Sequence, residues 1–299
     1  MHPSKYEILL KVAETESFTK TAEYYKYTQS AISQMVKSVE ENYKITLFQR
    51  TKTGLKITEE GKILLPHIRM IVEGQRNLAD QVNEIHHLQM GVVKIGAYLS
   101  LSMNLIPRCI KLFLEDYPHV RFELIQEDDV TLYEKVRDGD LDIAFMSDPR
   151  KRDTEYEGLF VDPFQLCLPA DHPLADRQEI DLQEVKEESF IFLNVGYASY
   201  LDKMFKASGY KPHVRYEMID DLSTLAMVDE GLGISIMPKF TTNNHPYHIA
   251  MVDIKYPISR VLGAVTRKNS FQSWAAKAFL DYVRENLPEG YERCPAAKR

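Results

Sequence analysis

Apolar residues recur at alternating steps of four and three between residues 64 and 85, and Thr58 is suited to cap a helix before them. This spacing predicts one long helix with a heptad seam, which a lone helix cannot bury on itself. The seam therefore predicts a partner surface, on another chain or on this chain's own C-terminal half. Pro66 is expected to kink the helix or delay its start. The seam residues are Leu64, Ile68, Ile71, Gln75, Leu78, Val82 and Ile85.

Two short helical patterns separated by a tight turn precede the seam. Ser17 is a candidate cap for the first pattern, and Thr28 for the second, which runs from Gln29 to Glu40. This spacing is typical of a helix-turn-helix, whose second helix enters a DNA major groove near its N-terminal end. The alternative is an amphipathic helix with a polar face in water. The candidate DNA-binding residues here are Thr28, Gln29, Ser30, Ser33, Gln34 and Lys37.

Charge is unevenly distributed along the 299 residues. The net charge is −7, yet residues 1–58 carry nine cations and six anions, so that segment is +3 and the remainder −10. A basic head on an acidic body fits a head that alone approaches phosphates. Cys109, Cys167 and Cys294 are isolated, which favours a reducing cytosol over a disulfide framework. With no apolar run long enough for a membrane and no secretory pattern, a cytoplasmic location without a membrane partner is expected.

From Gly91 onward, strand patterns alternate with helix patterns. The first part reads as a βαβαβ run ending in the buried strand Leu141–Met146, and a similar unit recurs after residues 164–169. Two α/β lobes joined by two crossover strands, with a ligand cleft between them, are predicted. The expected domains are 1–58, a linker helix at 59–89, and 90–299, with lobe 1 at about 90–162 and 266–299 and lobe 2 at about 163–265.

Motifs for catalysis are missing from the sequence. It has no phosphate-binding glycine loop, no His-Glu-x-x-His, no paired-cysteine metal spacing and no Gly-x-Ser-x-Gly. Gly231-Leu232-Gly233 precedes an apolar strand pattern and not a helix, so it is not interpreted as a dinucleotide site. No enzyme activity, metal or cofactor is expected. A solute-binding module and a small-molecule α/β enzyme with an accessory head remain the alternatives to a DNA-binding regulator.

The first 60 residues resemble the LysR-type transcriptional regulators of bacteria. The resemblance rests on Ser17-Phe18-Thr19, Ala22, Gln29 to Ser33, Val39-Glu40, Leu47 to Arg50, Leu55 to Thr58, Gly61 and Leu64. It implies a winged helix-turn-helix, with Leu47 to Thr58 as the wing and Arg50, Thr51 and Lys52 against the DNA backbone or the minor groove. It also implies a long linker helix that dimerises through Leu64, Ile68, Ile71, Leu78, Val82 and Ile85.

Three segments of the C-terminal half match the family's effector domain, which is similar to periplasmic binding proteins: Gly139 to Ala144, Asp171 to Leu174 and Val228 to Pro238. The resemblance implies a homodimer or homotetramer on promoter DNA, a small-molecule effector, and RNA polymerase as a further partner. Thr21, Val39, Tyr43 and Lys44 depart from the family pattern, which we interpret as altered core packing. Gln34 stands where arginine is common.

The cleft of such a domain is lined by residues that follow strand ends. The candidate effector-binding residues are Ser100, Ser102, Asp128, Asp129, Ser147, Asn194 and Tyr197. The resemblance places a Gly-Ser/Thr stretch where this chain has Glu127-Asp128-Asp129. Three carboxylates beside the cleft disfavour a multiply anionic effector and favour one with an amine or an uncharged body. The alternative is that these acids are solvated or paired with an arginine.

Overall fold

The computed structural model describes residues 3–51, 54–85, 90–149, 151–194, 198–243, 246–268 and 272–294, leaving aside the side chains of residues 80, 83–85 and 198. The chain forms two compact units, Met1–Leu88 and Gln89–Arg299. We call them the N-terminal unit and the C-terminal unit. Lys52 and Tyr197, two of the predicted site residues, lie outside the described residues, as does the Ile85 side chain.

The N-terminal unit begins with three helices, each started by a hydroxyl cap. Helices α1 (Lys5–Thr15), α2 (Phe18–Tyr25) and α3 (Gln29–Tyr43) follow Ser4, Ser17 and Thr28. Each hydroxyl accepts a hydrogen bond from a backbone N–H of the first turn, which satisfies a donor that the helix itself cannot. The helices enclose an apolar core of Ile8, Leu9, Val12, Ala22, Ile32, Val36, Val39 and Leu47.

Two of the unusual residues at the end of α3 lie outside this core. Lys44 ends the helix at φ 53°, in the left-handed region that glycine adopts most easily. The Tyr43 side chain is exposed, and its hydroxyl lies 3.2 Å from that of Tyr6. The interpretation of both as altered core packing is therefore wrong. It holds for Thr21, which is fully buried and hydrogen-bonds Thr15 at 2.8 Å.

A two-stranded antiparallel hairpin and one long helix complete the N-terminal unit. The hairpin pairs β1 (Phe48–Thr51) with β2 (Gly54–Ile57), and α4 (Glu59–Ile85) follows. The Gly61 N–H donates to the Thr58 hydroxyl at 2.9 Å, and a Cβ on Gly61 would lie 2.6 Å from the Leu47 carbonyl oxygen. Pro66 lies inside α4 and does not delay its start. Among the described helices, none has the length and apolar character that a membrane span requires.

Helix α4 carries apolar side chains in two different environments. Leu64 and Ile68 belong to the apolar cluster of the N-terminal unit, and Val72 is buried as well. Ile71, Leu78 and Val82 are exposed in the single chain. Leu64 and Ile68 therefore pack on their own unit, and Ile71, Leu78 and Val82 are the members of the predicted dimer surface that the single chain exposes.

Lobe 1 of the C-terminal unit is a sheet with helices against it. Its strands lie in the order β4-β3-β5-β12-β6, with β4, β3 and β5 parallel and β12 antiparallel to β5 and β6. Their packing creates a core rich in phenylalanine, including Phe113, Phe145, Phe160 and Phe279. The elements are β3 (Gly91–Ala97), α5 (Leu99–Asn104), α6 (Ile106–Asp116), β4 (Val120–Gln126), α7 (Asp129–Arg137), β5 (Ile143–Met146), β6 (Thr154–Pro169), β12 (Ser259–Arg267) and α10 (Trp274–Glu285).

Lobe 2 has its own apolar core, around Phe164, Phe190 and Ile236. Its elements are β7 (Glu179–Ile180), a 3-10 turn (Leu182–Val185), β8 (Ser189–Leu193), α8 (Ala198–Ser208), β9 (His213–Met218), α9 (Asp221–Asp229), β10 (Ser235–Pro238) and β11 (Ile249–Ile254). Strand β6 joins the lobes, since residues 154–163 pair with β12 and residues 164–169 with β10 and β11. A Cβ on Gly233 would clash with the Ser189 carbonyl oxygen, so the second glycine of the Gly-x-Gly motif has a packing role.

Two expectations for the lobes need correction. Strand β12 begins at Ser259 and pairs with β5, so lobe 1 resumes near residue 259 and not at 266. The lobes are also joined by more than two passages of the chain. Between β10 and β11, Phe240 enters the lobe 1 core, and its carbonyl accepts from Asn104 Nδ2 at 2.7 Å. This contact between Phe240 and lobe 1 was not predicted, because a single buried aromatic residue between polar neighbours gives no periodic pattern.

Candidate functional sites

The N-terminal edge of α3 presents a row of polar side chains. Gln29, Ser30 and Gln34 are exposed, while Ser33 is half-buried. Thr28 has a structural task, because its hydroxyl caps the helix and lies 3.0 Å from the Ser30 hydroxyl. Ile32 is buried in the core and fixes the helix so that this edge faces outward. The edge is therefore held rigidly while its glutamine side chains stay accessible.

Exposed cationic side chains occur on the same helix and on the hairpin. Lys37 is exposed and forms an ion pair with Glu41 at 3.4 Å, a contact between two solvated groups that a phosphate can displace at little cost. Arg50 and Thr51 are exposed on β1 of the hairpin. Lys56 of β2 was not among the predicted DNA-binding residues. Its ammonium lies 3.0 Å from the Glu16 carboxylate and ties the hairpin to the corner between α1 and α2.

The C-terminal unit contains a cavity of about 730 Å³ with walls from both lobes. Four of the predicted effector-binding residues line it: Ser100, Asp128, Asp129 and Ser147. Ser102 does not, because residues two apart on a helix point in different directions and Ser100 takes the side facing the cavity. Asn194 does not line it either; it is exposed at the end of β8. No group of His, Cys, Asp or Glu side chains in the described part of the chain is arranged to hold a metal.

The wall from lobe 1 joins the half-buried Tyr98 to the acidic start of α7. Asp128 caps α7 by accepting from the Thr131 N–H at 2.8 Å, and that hydrogen bond lowers the pKa of its carboxyl. Burial, followed by the neighbouring Asp129 carboxylate, raises the pKa of Tyr98. Asp128 therefore stays ionised and Tyr98 keeps its proton at neutral pH.

The wall from lobe 2 comes from the starts of two helices. Ser199, Tyr200 and Lys203 belong to α8, and Ile219 and Asp221 lie at the start of α9. Tyr200 stacks on Phe164 at the crossover of β6, with ring centroids 5.7 Å apart. Of the two residues predicted for this wall, Asn194 does not line the cavity, and Tyr197 lies outside the described residues.

A buried ion pair at the base of the cavity was also missed. Arg260 Nε lies 2.9 Å from Asp162 Oδ2, with side chains 5% and 0% exposed respectively. The other Asp162 oxygen accepts from the Phe240 N–H at 2.8 Å, and Arg260 Nη2 donates to the Ser100 hydroxyl at 3.2 Å. The sequence does contain a signal for this ion pair: one charged residue stands within each of two largely apolar runs, 159–164 and 258–262. The ion pair therefore connects β6, β12 and the segment around Phe240 at the base of the cavity.

Comparison with known families identifies both units. Residues 4–62 match the model described as bacterial regulatory helix-turn-helix protein, lysR family, and residues 86–288 match the LysR substrate binding domain. The chain belongs to the LysR family of transcriptional regulators. This confirms the resemblance and the predicted fold class, a winged helix-turn-helix followed by an α/β effector domain.

Named relatives of this LysR regulator agree with that assignment. It is 30% identical over 282 residues to GltC of Bacillus subtilis, a transcriptional dual regulator, across 92% of this chain and 93% of GltC. YybE of the same organism, an uncharacterized HTH-type transcriptional regulator, is 27% identical across 97% of this chain and all of YybE. The relatives are regulators, which supports the prediction of a regulator over an enzyme or a transport module.

Solved structures show the same fold. A full-length single-residue variant of OxyR from Pseudomonas aeruginosa matches this LysR regulator with a TM-score of 0.70 and 23% sequence identity. The match covers 95% of this chain and 97% of the OxyR chain. CbnR complexed with its target DNA gives a TM-score of 0.65 at 18% identity, covering 95% of this chain and 99% of CbnR.

Proposed function

We propose that this regulator binds promoter DNA through the N-terminal edge of α3 and the hairpin beside it. The supporting observation is the capped, core-anchored edge that leaves Gln29 and Gln34 accessible while Arg50 and Thr51 stand exposed on the hairpin. Glutamine pairs with adenine edges and serine with several bases, whereas Lys37 and Arg50 suit phosphates. The proposed domains are 1–58 for DNA binding, 59–89 for the linker and 90–299 for effector binding, in a cytoplasmic protein.

We further propose that a second copy of the chain covers the exposed face of α4. This face carries Ile63, Met70, Ile71, Leu78 and Val82, with Leu78 67% exposed. Apolar residues at such spacing along a helix are typical of helix pairing. A homodimer, or a homotetramer built from it, would bind a partly palindromic site, and RNA polymerase is the further partner expected at a promoter.

The cavity between the lobes is the proposed effector site. Its volume falls in the range of small-molecule pockets, and the buried Arg260–Asp162 pair connects it to the segments that join the lobes. An effector that binds one lobe arrangement more tightly shifts the regulator toward it. A similar domain, the effector binding domain of QuiR, has been solved in complex with shikimate, which supports this use of the fold.

Selection from a random DNA pool, with and without metabolites, tests DNA recognition by the full chain. Gln29→Ala or Ser33→Ala should weaken discrimination at one position of the site by about 1–3 kcal/mol. Gln178→Ala, at an exposed glutamine of lobe 2, is the control and should change nothing. Affinity should fall steeply with salt, since phosphate contacts release counterions. A protein that retards no promoter fragment in low salt would contradict the proposal.

A pair of serine variants tests the effector site. Ser100→Ala should blunt the response of DNA binding to effector and leave basal DNA binding intact. Ser102→Ala removes a hydroxyl from the same helix outside the cavity lining, so its response should be unchanged. Equal responses in the two variants would exclude the cavity as the effector site.

A further inference from the structure

The effector cavity has an excess of carboxylates on its walls. Five acidic residues line it, Glu127, Asp128, Asp129, Asp148 and Asp221, against the cations Lys203 and Arg260. Arg260 is already held by Asp162 directly beneath the wall. A concave, partly desolvated site with such an imbalance concentrates cations and repels anions.

The Asp128 carboxylate remains charged in the folded chain. The backbone hydrogen bond from Thr131 favours the ionised form of Asp128. Asp129 is the first residue of α7, where the helix dipole also favours a negative charge. Asp128 and Asp129 are therefore part of the start of α7 and not of an irregular loop, and the Arg260 guanidinium is bound to Asp162.

A buried hydroxyl gives a second, independent indication of a ligand. Ser100 lines the cavity and is 3% exposed. Its oxygen accepts from Arg260, and no acceptor for its hydrogen occurs among the described residues. A buried hydroxyl that lacks an acceptor is costly unless a bound group supplies one. Ser100 therefore offers a hydrogen-bond donor to the cavity.

We propose that the effector is a small molecule bearing an amine and no net negative charge. Its ammonium faces the Asp128 and Asp129 wall, and an uncharged oxygen accepts the hydrogen bond from Ser100. Tyr98 lines the cavity together with Asp129 and Ser100, and its ring lies 5.8 Å from the Arg260 guanidinium carbon. This inference rests on the proposed use of the cavity as the effector site.

The sign of the cavity potential can be measured without knowing the effector. Ser147→Cys, combined with Cys294→Ser, places one thiol on the wall, because Cys109 and Cys167 are fully buried. Its reaction rates with cationic and anionic methanethiosulfonates are compared with those of Gln178→Cys on the exposed surface. We expect a cation-to-anion rate ratio at least about tenfold higher in the cavity. Asp129→Asn should lower that ratio, and Asp176→Asn, at an exposed acid outside the cavity, should not.

Ligand preference is then tested on the unmodified chain. Diaminobutane, aminobutanol, butanediol and succinate share a four-carbon backbone and differ in charge. Aminobutanol, which has both an ammonium and a hydroxyl, should raise the melting temperature most, and succinate should not raise it. The effect should disappear in Asp129→Asn and persist in Asp176→Asn.

Two results would overturn the inference. One is a cation-to-anion rate ratio at the cavity thiol that is no higher than the ratio at the surface thiol. The other is an increase in melting temperature with succinate that equals or exceeds the increase with the amines. Failure of every amine to stabilise the chain counts against it as well. DNA retardation without any ligand is measured in parallel. A chain that retards DNA but prefers anions remains a regulator and refutes only the amine assignment.

Discussion

Removing the charge of Asp162 should strongly destabilise the C-terminal unit. Its carboxylate lies 2.9 Å from Arg260 Nε, with the two side chains 0% and 5% exposed. At that distance, an effective dielectric constant near 20 gives an attraction of about 6 kcal/mol, from which desolvation subtracts. Asp162→Asn keeps an oxygen for the Phe240 N–H but removes the carboxylate that pairs with the buried Arg260. We expect a loss of about 3–5 kcal/mol in unfolding free energy.

The tryptophan of this chain makes the assay selective. The sequence contains a single tryptophan, Trp274, which packs against the lobe 1 core, so its fluorescence in urea reports on the C-terminal unit alone. The control is Arg177→Met, which breaks an exposed ion pair with Glu184 and should cost about 0–1 kcal/mol. The double variant Asp162→Leu with Arg260→Met should lose less than the sum of its single changes. A loss in Asp162→Asn no larger than in Arg177→Met would refute this account of the buried pair.

Three further predictions concern a helix end, the α4 face and a helix cap. Lys44→Gly should stabilise the N-terminal unit by about 1 kcal/mol, because glycine adopts the left-handed conformation without strain. Lys37→Gly, inside α3, should destabilise the same unit. Thermal unfolding followed by circular dichroism measures both effects. Leu78→Glu should shift the chain toward monomer in sedimentation, and Gln178→Glu should not; unchanged sedimentation would contradict the proposed dimer face. Because the pKa of Asp128 is lowered on folding, its carboxylate stabilises the fold above about pH 4 and loses that effect as pH falls through the folded pKa. The stability difference between the wild type and Asp128→Asn, followed by Trp274 fluorescence, should therefore shrink on acidification, and a difference independent of pH would argue against the cap.

The parts of the fold that follow from local chemistry were predictable from the sequence. Ser17 and Thr28 both cap helices as expected, because a cap depends on residues within one turn. The buried strand β5 follows from an uninterrupted apolar run. The two-residue strand β7 and the six-residue helix α5 are too short for a periodicity to appear, and tertiary contacts determine them.

The candidate site was only partly predictable, for a related reason. Residues after strand ends in lobe 1, such as Ser100 and Asp129, could be located because parallel strands place their carboxyl ends at one edge. The floor of the cavity depends on Asp162 and Arg260, which are 98 residues apart in sequence and meet only because β6 and β12 are neighbours. Their register is a property of the folded sheet, and each strand pattern alone leaves it open.

Helix α4 shows why a heptad pattern identifies a buried stripe without identifying what covers it. The helix has 27 residues and is therefore about 40 Å long, while the apolar cluster of the N-terminal unit includes α4 side chains only as far as Ile68. A straight helix also drifts by about 20° per heptad relative to a strict seven-residue repeat, so a seam that begins on one surface turns away from it. Leu64 and Ile68 thus complete their own unit, whereas Leu78, two heptads after Leu64, is 67% exposed. The same repeat therefore serves two packing surfaces in succession, and its later members are the more exposed to a partner chain.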